Sequence, residues 1–176
     1  MTVIAVLAFS LCSNIFVTGC FTYDKPVTLS SKNYRNEQHQ VPSGWRKINA
    51  YGKFSFYLPP NMWDTGSRGI ENLHSEYTNG RIHLSFDYEP YGVLSYDRRT
   101  LAFGKDFQEI ELQIDGRKAY LFLYQSSDFR KRRTYNADLF VGDLPKGDVL
   151  LHMWTMSWSA KRIETVKTIF QTIRFR

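Results

Sequence analysis

The hydrophobic and polar positions along the chain fall into three regimes. Residues 1–19 carry no Asp, Glu, Lys or Arg; residues 3–9 are continuously apolar, 10–14 are mixed, and 15–17 are apolar again before the small pair Thr18 and Gly19. Residues 21–43 are polar, with neither a period of 2 nor one of 3.6. From Trp45 onward the period is 2 for most of the chain and 3.6 at its end. The alternation of Phe54, Phe56 and Leu58 with Ser55 and Tyr57 predicts a strand, and Pro59 and Pro60 stop it because neither can donate to a ladder.

Two hairpins follow from turn chemistry. Asn79 and Gly80 form a favoured two-residue turn, since both tolerate positive φ cheaply. Counting outward sets Tyr77 opposite Ile82, Leu73 opposite Phe86 and Glu76 opposite His83. Leu73, Tyr77, Ile82, Leu84 and Phe86 then share an apolar face, and His74, Glu76, Arg81, His83 and Ser85 the other. Asp115 and Gly116 make the second turn, with Leu112 opposite Ala119 and Ile110 opposite Leu121. Residues 119–124 are apolar on both faces, which reads as a central strand. Strands over 135–141 and 149–156 flank a turn at Pro145, Lys146, Gly147 and Asp148.

The last element is a helix. Ile163, Val166, Phe170 and Ile173 form one stripe, with Lys161, Glu164, Lys167 and Gln171 outside it. Ser159 is placed to cap its first N–H groups, Trp158 to staple onto Ile163, and Arg174 and Arg176 to meet the negative end of the dipole. Phe175 closes the chain against the sheet. The expected fold is α+β: a largely antiparallel sheet of about six to seven strands with a C-terminal helix packed on it.

The opening segment, read from its residues, is a secretory signal, an uncleaved membrane anchor or a buried helix. A span needs about 20 apolar residues, and Ser10, Ser13 and Asn14 interrupt this one. Val17, Thr18, Gly19 and Cys20 together resemble the lipobox of bacterial lipoproteins. Cys12 does not, because Leu11 is too bulky for the position before it. The resemblance implies that residues 1–19 are a signal peptide and that Cys20 is lipidated. Residues 20–43 are then the lipidated cysteine and a tether, whose roughly 5–6 Å × √n reach is about 25 Å, and 44–176 are the domain. Phe21 is not the retaining Asp. The implied place is extracytoplasmic, on the periplasmic face of the outer membrane if the host has two membranes.

Within 44–176, the Phe-Ser-Phe-Tyr-Leu-Pro-Pro strand, Phe86-Asp87-Tyr88, the Asp115-Gly116 hairpin and the closing helix resemble the Mog1/PsbP-like sandwich. That likeness implies fold alone, since no functional residue of those relatives can be matched here and fold does not carry function.

Composition then narrows the chemistry. Thirteen Phe, 11 Tyr and 4 Trp supply ample core. The only two cysteines are Cys12 and Cys20, so a domain processed at Cys20 holds no thiol for a disulfide, thiolate site or nucleophile. A net charge of +6 on an exported protein suits anionic lipid better than nucleic acid, and no nucleic-acid fingerprint is present. Arg130, Lys131, Arg132 and Arg133 are the densest charge run, a candidate contact for an anionic surface or simply a solvated loop. Tyr88, Tyr91 and Tyr96 flank a Pro90-containing loop and form a candidate ligand platform, or else close the end of the sandwich. His74, Glu76 and His83 are of zinc-ligand type, but ordinary cross-strand pairing accounts for them and no metal is assigned. His39 falls in the tether.

Gly-x-Ser-x-Gly, Ser-x-x-Lys, His-Glu-x-x-His and glycine-rich phosphate loops do not occur. His152, between Leu151 and Met153, reads as a hydrogen-bonded sheet histidine, and Trp154 and Trp158 as core and helix-packing residues. The expectation is therefore a non-catalytic binding or structural module with no cofactor. Its partners are the membrane, through lipid on Cys20, and an envelope protein. The alternatives are a small-ligand-binding protein or a hydrolase with a scattered active site.

Overall fold

A computed structural model describes residues 40–69, 73–89, 105–128, 130–143 and 148–176. Ten strands and one helix occur among them. In chain order they are β1 (Arg46–Ala50), β2 (Phe54–Leu58), β3 (Trp63–Asp64), β4 (Leu73–Thr78), β5 (Ile82–Tyr88), β6 (Lys105–Ile114), β7 (Arg117–Ser127), β8 (Arg133–Asp143), β9 (Asp148–Ser157), α1 (Lys161–Gln171) and β10 (Arg174–Phe175). The main sheet has the order β3-β4-β5-β9-β8-β7-β6, and β1-β2-β10 form a small second sheet. Every neighbouring pair is antiparallel. The fold is α+β. No helix among the described residues is long and apolar enough to cross a membrane.

The inner face of the main sheet packs on α1 and the small sheet. Phe54, Phe56 and Leu58 are fully buried there. Phe86 receives both β2 phenylalanines edge-on, Phe54 at 5.1 Å and Phe56 at 5.9 Å between ring centroids, the geometry that aromatic quadrupoles favour. Ile163, Val166, Ile169 and Phe170 of α1 close the layer.

The Asp115-Gly116 hairpin has the expected register, with Leu112 opposite Ala119 and Ile110 opposite Leu121. Both turn residues take positive φ, 51° and 76°, as a two-residue turn between twisted strands demands. The other hairpin differs. Thr78 pairs with His83, Tyr77 with Leu84 and Glu76 with Ser85, a slip of two from the expected pairing. The Asn79 side chain accepts from the N–H groups of Arg81 (3.0 Å) and Ile82 (2.9 Å), which stabilises a longer loop. A slip of two preserves the faces, so Tyr77, Ile82, Leu84 and Phe86 still point into the core.

Three further expectations are corrected. β7 is not central but second from the edge. It is apolar on both faces because Tyr120 and Phe122 join Phe140 and Val149 in a separate outer-face cluster. The helix begins without a side-chain cap: Ala160 occupies the N-cap position, and Ser159 contributes only its carbonyl, to Arg162 N–H. Lys167 is buried rather than exposed, its ammonium 2.9 Å from Glu164. Strands β8 and β9 exceed their expected lengths, β9 beginning at Asp148 of the expected turn; the other turn positions, 145–147, lie outside the described residues. At the C-terminus Arg174 donates to the carbonyls of Gln171 (3.0 Å) and Ile173 (2.6 Å), and Phe175 sits opposite Phe54.

Candidate functional site on the outer sheet face

Strand alternation that sends the core residues inward sends a second set outward. Pairing aligns that set in rows across the sheet. One row is His74, Asp87, His152 and Phe140; the next is Glu76, Ser85, Trp154 and Asp138; a third is Thr78, His83, Met156 and Asn136. Between them lies a cleft of about 440 Å³ whose lining includes Glu76, His83, Tyr124, Asp138, His152 and Trp154. Among the described residues, α1 and the small sheet pack on the opposite face.

A string of rings crosses this face. His74 is 5.8 Å from Trp154, Trp154 is 4.7 Å from His152, and His152 stacks on Phe140 at 4.1 Å and 9°. Phe140 meets Phe122 at 5.7 Å, and Phe122 meets Phe107 at 5.9 Å. Rings from β4, β9, β8, β7 and β6 thus form one wall. Trp154 is an outer-face residue that lines the cleft, not a core residue. Trp158 continues outward, its ring edge-on to His83 at 5.4 Å and under the Arg132 guanidinium at 5.2 Å, instead of serving as a staple to the helix.

Asp138 lies at the floor of the cleft, only 6% exposed. The Tyr124 hydroxyl donates to its Oδ2 at 3.2 Å. Burial pushes the carboxyl up to about 7, the phenol's hydrogen bond only partly opposing it. Tyr124 is raised as well, first by burial and then by the neighbouring carboxylate. Burial between rings drops His152 to about 3, so it is a neutral imidazole at ordinary pH. The cleft therefore combines a neutral histidine, a neutral phenol and a carboxyl poised between its two forms.

The residues expected to form a site are distributed differently. His74 meets Glu76 (3.4 Å) and, more closely, Asp87 (2.7 Å), while His83 turns to Trp158. No group of three or more His, Cys, Asp or Glu able to hold a metal occurs among the described residues. Tyr88 does not belong to a surface platform: it points inward, 8% exposed, stacked on Phe54 at 5.7 Å. Tyr91 and Tyr96 lie outside the described residues, as do Val17, Thr18, Gly19 and Cys20.

The basic run is exposed: Arg130, Lys131 and Arg132 lie in the β7–β8 connection and Arg133 opens β8. Asp128 organises it, accepting from the N–H groups of Arg130 (2.9 Å) and Arg132 (2.8 Å) and from Arg132 Nε (2.7 Å). Lys131 takes φ = 59° to make the turn. Arg132 is thereby committed to Asp128 and Trp158. Trp158 places this loop at one end of the outer face.

Asp138 and Tyr124 could not be paired from the sequence, because their contact depends on the β7–β8 register. A signal for the face itself was present: Tyr120, Phe122 and Phe140 all occupy outward positions, which marks a sheet buried in part on both sides.

The class this architecture defines is an α+β domain with an antiparallel sheet and a C-terminal helix. No family model matches the chain, and no curated protein matches it significantly. Among solved structures it is similar to the Saccharomyces cerevisiae Ran-binding protein Mog1p, with 10% identity and a TM-score of 0.45 over 74% of this chain and 95% of that one. A point mutant of Mog1 gives 11%, 0.45, 74% and 95% in the same order. The solution structure of cyanobacterial PsbP (CyanoP) from Synechocystis gives 11%, 0.42, 78% and 98%. The α+β assignment rests on the strand order and helix placement of this chain.

Proposed function

We propose that this is a lipid-anchored protein of the cell envelope, held through Cys20, whose domain is a non-catalytic binding module. The observation that carries the reading is the outer sheet face, which bears a ring-walled cleft with the basic β7–β8 loop at one end. A concave, largely apolar site with a few convergent polar groups is the usual form of a binding site. The loop supplies attraction to an anionic membrane or an acidic envelope partner, and the anchor keeps the domain within reach of either.

The experiment is binding of the full-length protein to anionic and to neutral vesicles. Replacing Arg130, Lys131 and Arg133 by Ala leaves the Asp128–Arg132 support of the loop in place. At about 1 kcal/mol per basic residue near an anionic surface, the triple variant loses roughly 100-fold in affinity for anionic vesicles, and the parent's binding weakens with salt. Equal binding by parent and variant removes the loop from the account. A second reading, small-ligand binding in the cleft, is favoured by Asp138, a carboxyl sunk in the wall of an open cavity.

A further inference from the structure

The cleft has the wrong charge for its protein. The chain as a whole is basic, at +6, yet among the described residues no Lys or Arg lines the cavity, while Glu76 and Asp138 both do. The ionisable groups on this face are His74 and Glu76 on β4, His83 and Asp87 on β5, His152 on β9, Asp138 on β8, Lys118, Tyr120 and Tyr124 on β7, and Glu109 and Glu111 on β6; Lys118 is engaged by Glu111 at 3.3 Å and lies over the Tyr120 ring, outside the cleft lining. His74 is engaged by Asp87 at 2.7 Å. Arg132, at the end of the face, is engaged by Asp128. A buried carboxylate is ordinarily matched by a cation, whereas among the described residues Asp138 is met by the hydroxyl of a phenol, Tyr124.

The neighbouring wall is also of the kind that receives cations. Trp154 lies between Asp138 and Ser85 in the same cross-strand row, with Glu76 beyond. At roughly 4.8 Å per strand, the backbones of Asp138 and Glu76 stand about 14 Å apart, with the indole between them. Indole is the strongest aromatic partner for an ammonium group. A cation entering over Trp154 passes the half-exposed Glu76 at the rim and meets Asp138 at the floor.

We propose that the outer-face cleft binds a small organic primary ammonium ion, with its charge on Asp138 and its apolar body against Trp154. This rests on the reading of the cleft as a ligand site and names the class of ligand it takes. The ammonium group supplies the charge the cavity lacks, and Tyr124 holds the carboxylate in place by continuing to donate to Oδ2. Because burial holds the free carboxyl near 7, binding pulls off a proton below that pH. The ionised fraction of Asp138 runs from about a tenth at pH 6 to about nine-tenths at pH 8, so affinity rises about tenfold across that interval.

The test is calorimetric titration of the full-length protein in detergent with three probes of one shape: phenethylammonium, phenethyl alcohol and phenylacetate. The proposal requires the ammonium to bind at least tenfold more tightly than the other two. It also requires proton release at pH 6.5, read as a dependence of the observed heat on buffer ionisation enthalpy. Asp138→Asn, which keeps an acceptor for Tyr124, should abolish both the preference and the proton release while its melting temperature stays at or above the parent's. Binding of the alcohol as tightly as the ammonium overturns the cation assignment and leaves the cleft a ligand site. Binding of none of the three overturns both. Ammonium binding that survives Asp138→Asn unchanged places the ion elsewhere and overturns the proposal.

Discussion

Replacing Asp138 by Asn isolates the energetic consequence of burying a carboxyl beside a phenol. The group's ordinary value is 3.8 and burial raises it to about 7 in the folded chain. A raised acid has the following sign: its contribution is undiminished below the unfolded value and is lost as pH climbs through the folded one. At about 1.36 kcal/mol per unit, the full loss is on the order of 4 kcal/mol. Roughly 2–3 kcal/mol of it falls between pH 5 and pH 8. Asn cannot ionise, and its carbonyl oxygen can still accept from the Tyr124 hydroxyl, so the variant escapes that loss. Urea unfolding followed by tryptophan fluorescence at pH 5, 6, 7 and 8 measures the difference directly. The variant should gain on the parent as pH rises, by about 2–3 kcal/mol over the series. Parallel stability profiles would refute the reasoning, because they would mean that Asp138 ionises as readily folded as unfolded.

Other consequences can be checked on the same preparations. His152, depressed from 6.5 to about 3, costs stability as pH falls through the unfolded value, so His152→Phe should gain on the parent between pH 7 and pH 4, by up to about 3 kcal/mol in the same assay. Phe56→Ala removes a fully buried ring that packs on Phe86 and Tyr77 and should cost about 3–5 kcal/mol by urea unfolding. Gly116→Ala forces a side chain to φ = 76° and should cost about 1–2 kcal/mol, read as a lower melting temperature; Asp115, which receives the Phe175 N–H at 2.8 Å, should remain in place in its crystal structure.

What the sequence made legible was local. The 115–116 hairpin was readable to the residue because Asp and Gly at adjacent positive-φ sites leave one geometry. The 79–80 hairpin was readable only as to faces, since Asn79 had two uses for its side chain and took the one that lengthens the loop. The helix stripe was plain, but Lys167 and Ser159 were not. Lys167 is drawn in by a layer that no period reveals, and Ser159 competes with Ala160 for a boundary that differs by one residue. The site was the least legible part. Its groups come from β4, β5, β7, β8 and β9, and each is unremarkable within its own strand. Tyr124 becomes significant only when β7 lies against β8, and His152 only when Phe140 and Trp154 flank its ring. Tyr88 was misplaced for the complementary reason. It continues the inward alternation of Phe86, which its nearness to Pro90 obscured.

The proposed place of the protein in the cell envelope rests on one sulfur atom, that of Cys20, and the measurement that reaches it is the intact mass of the chain recovered from cells. The account predicts a polypeptide beginning at Cys20 and carrying a diacylglyceryl group, with Cys20→Ser released from the membrane fraction. An unprocessed chain beginning at Met1, or a Cys20→Ser variant as firmly membrane-bound as the parent, contradicts it.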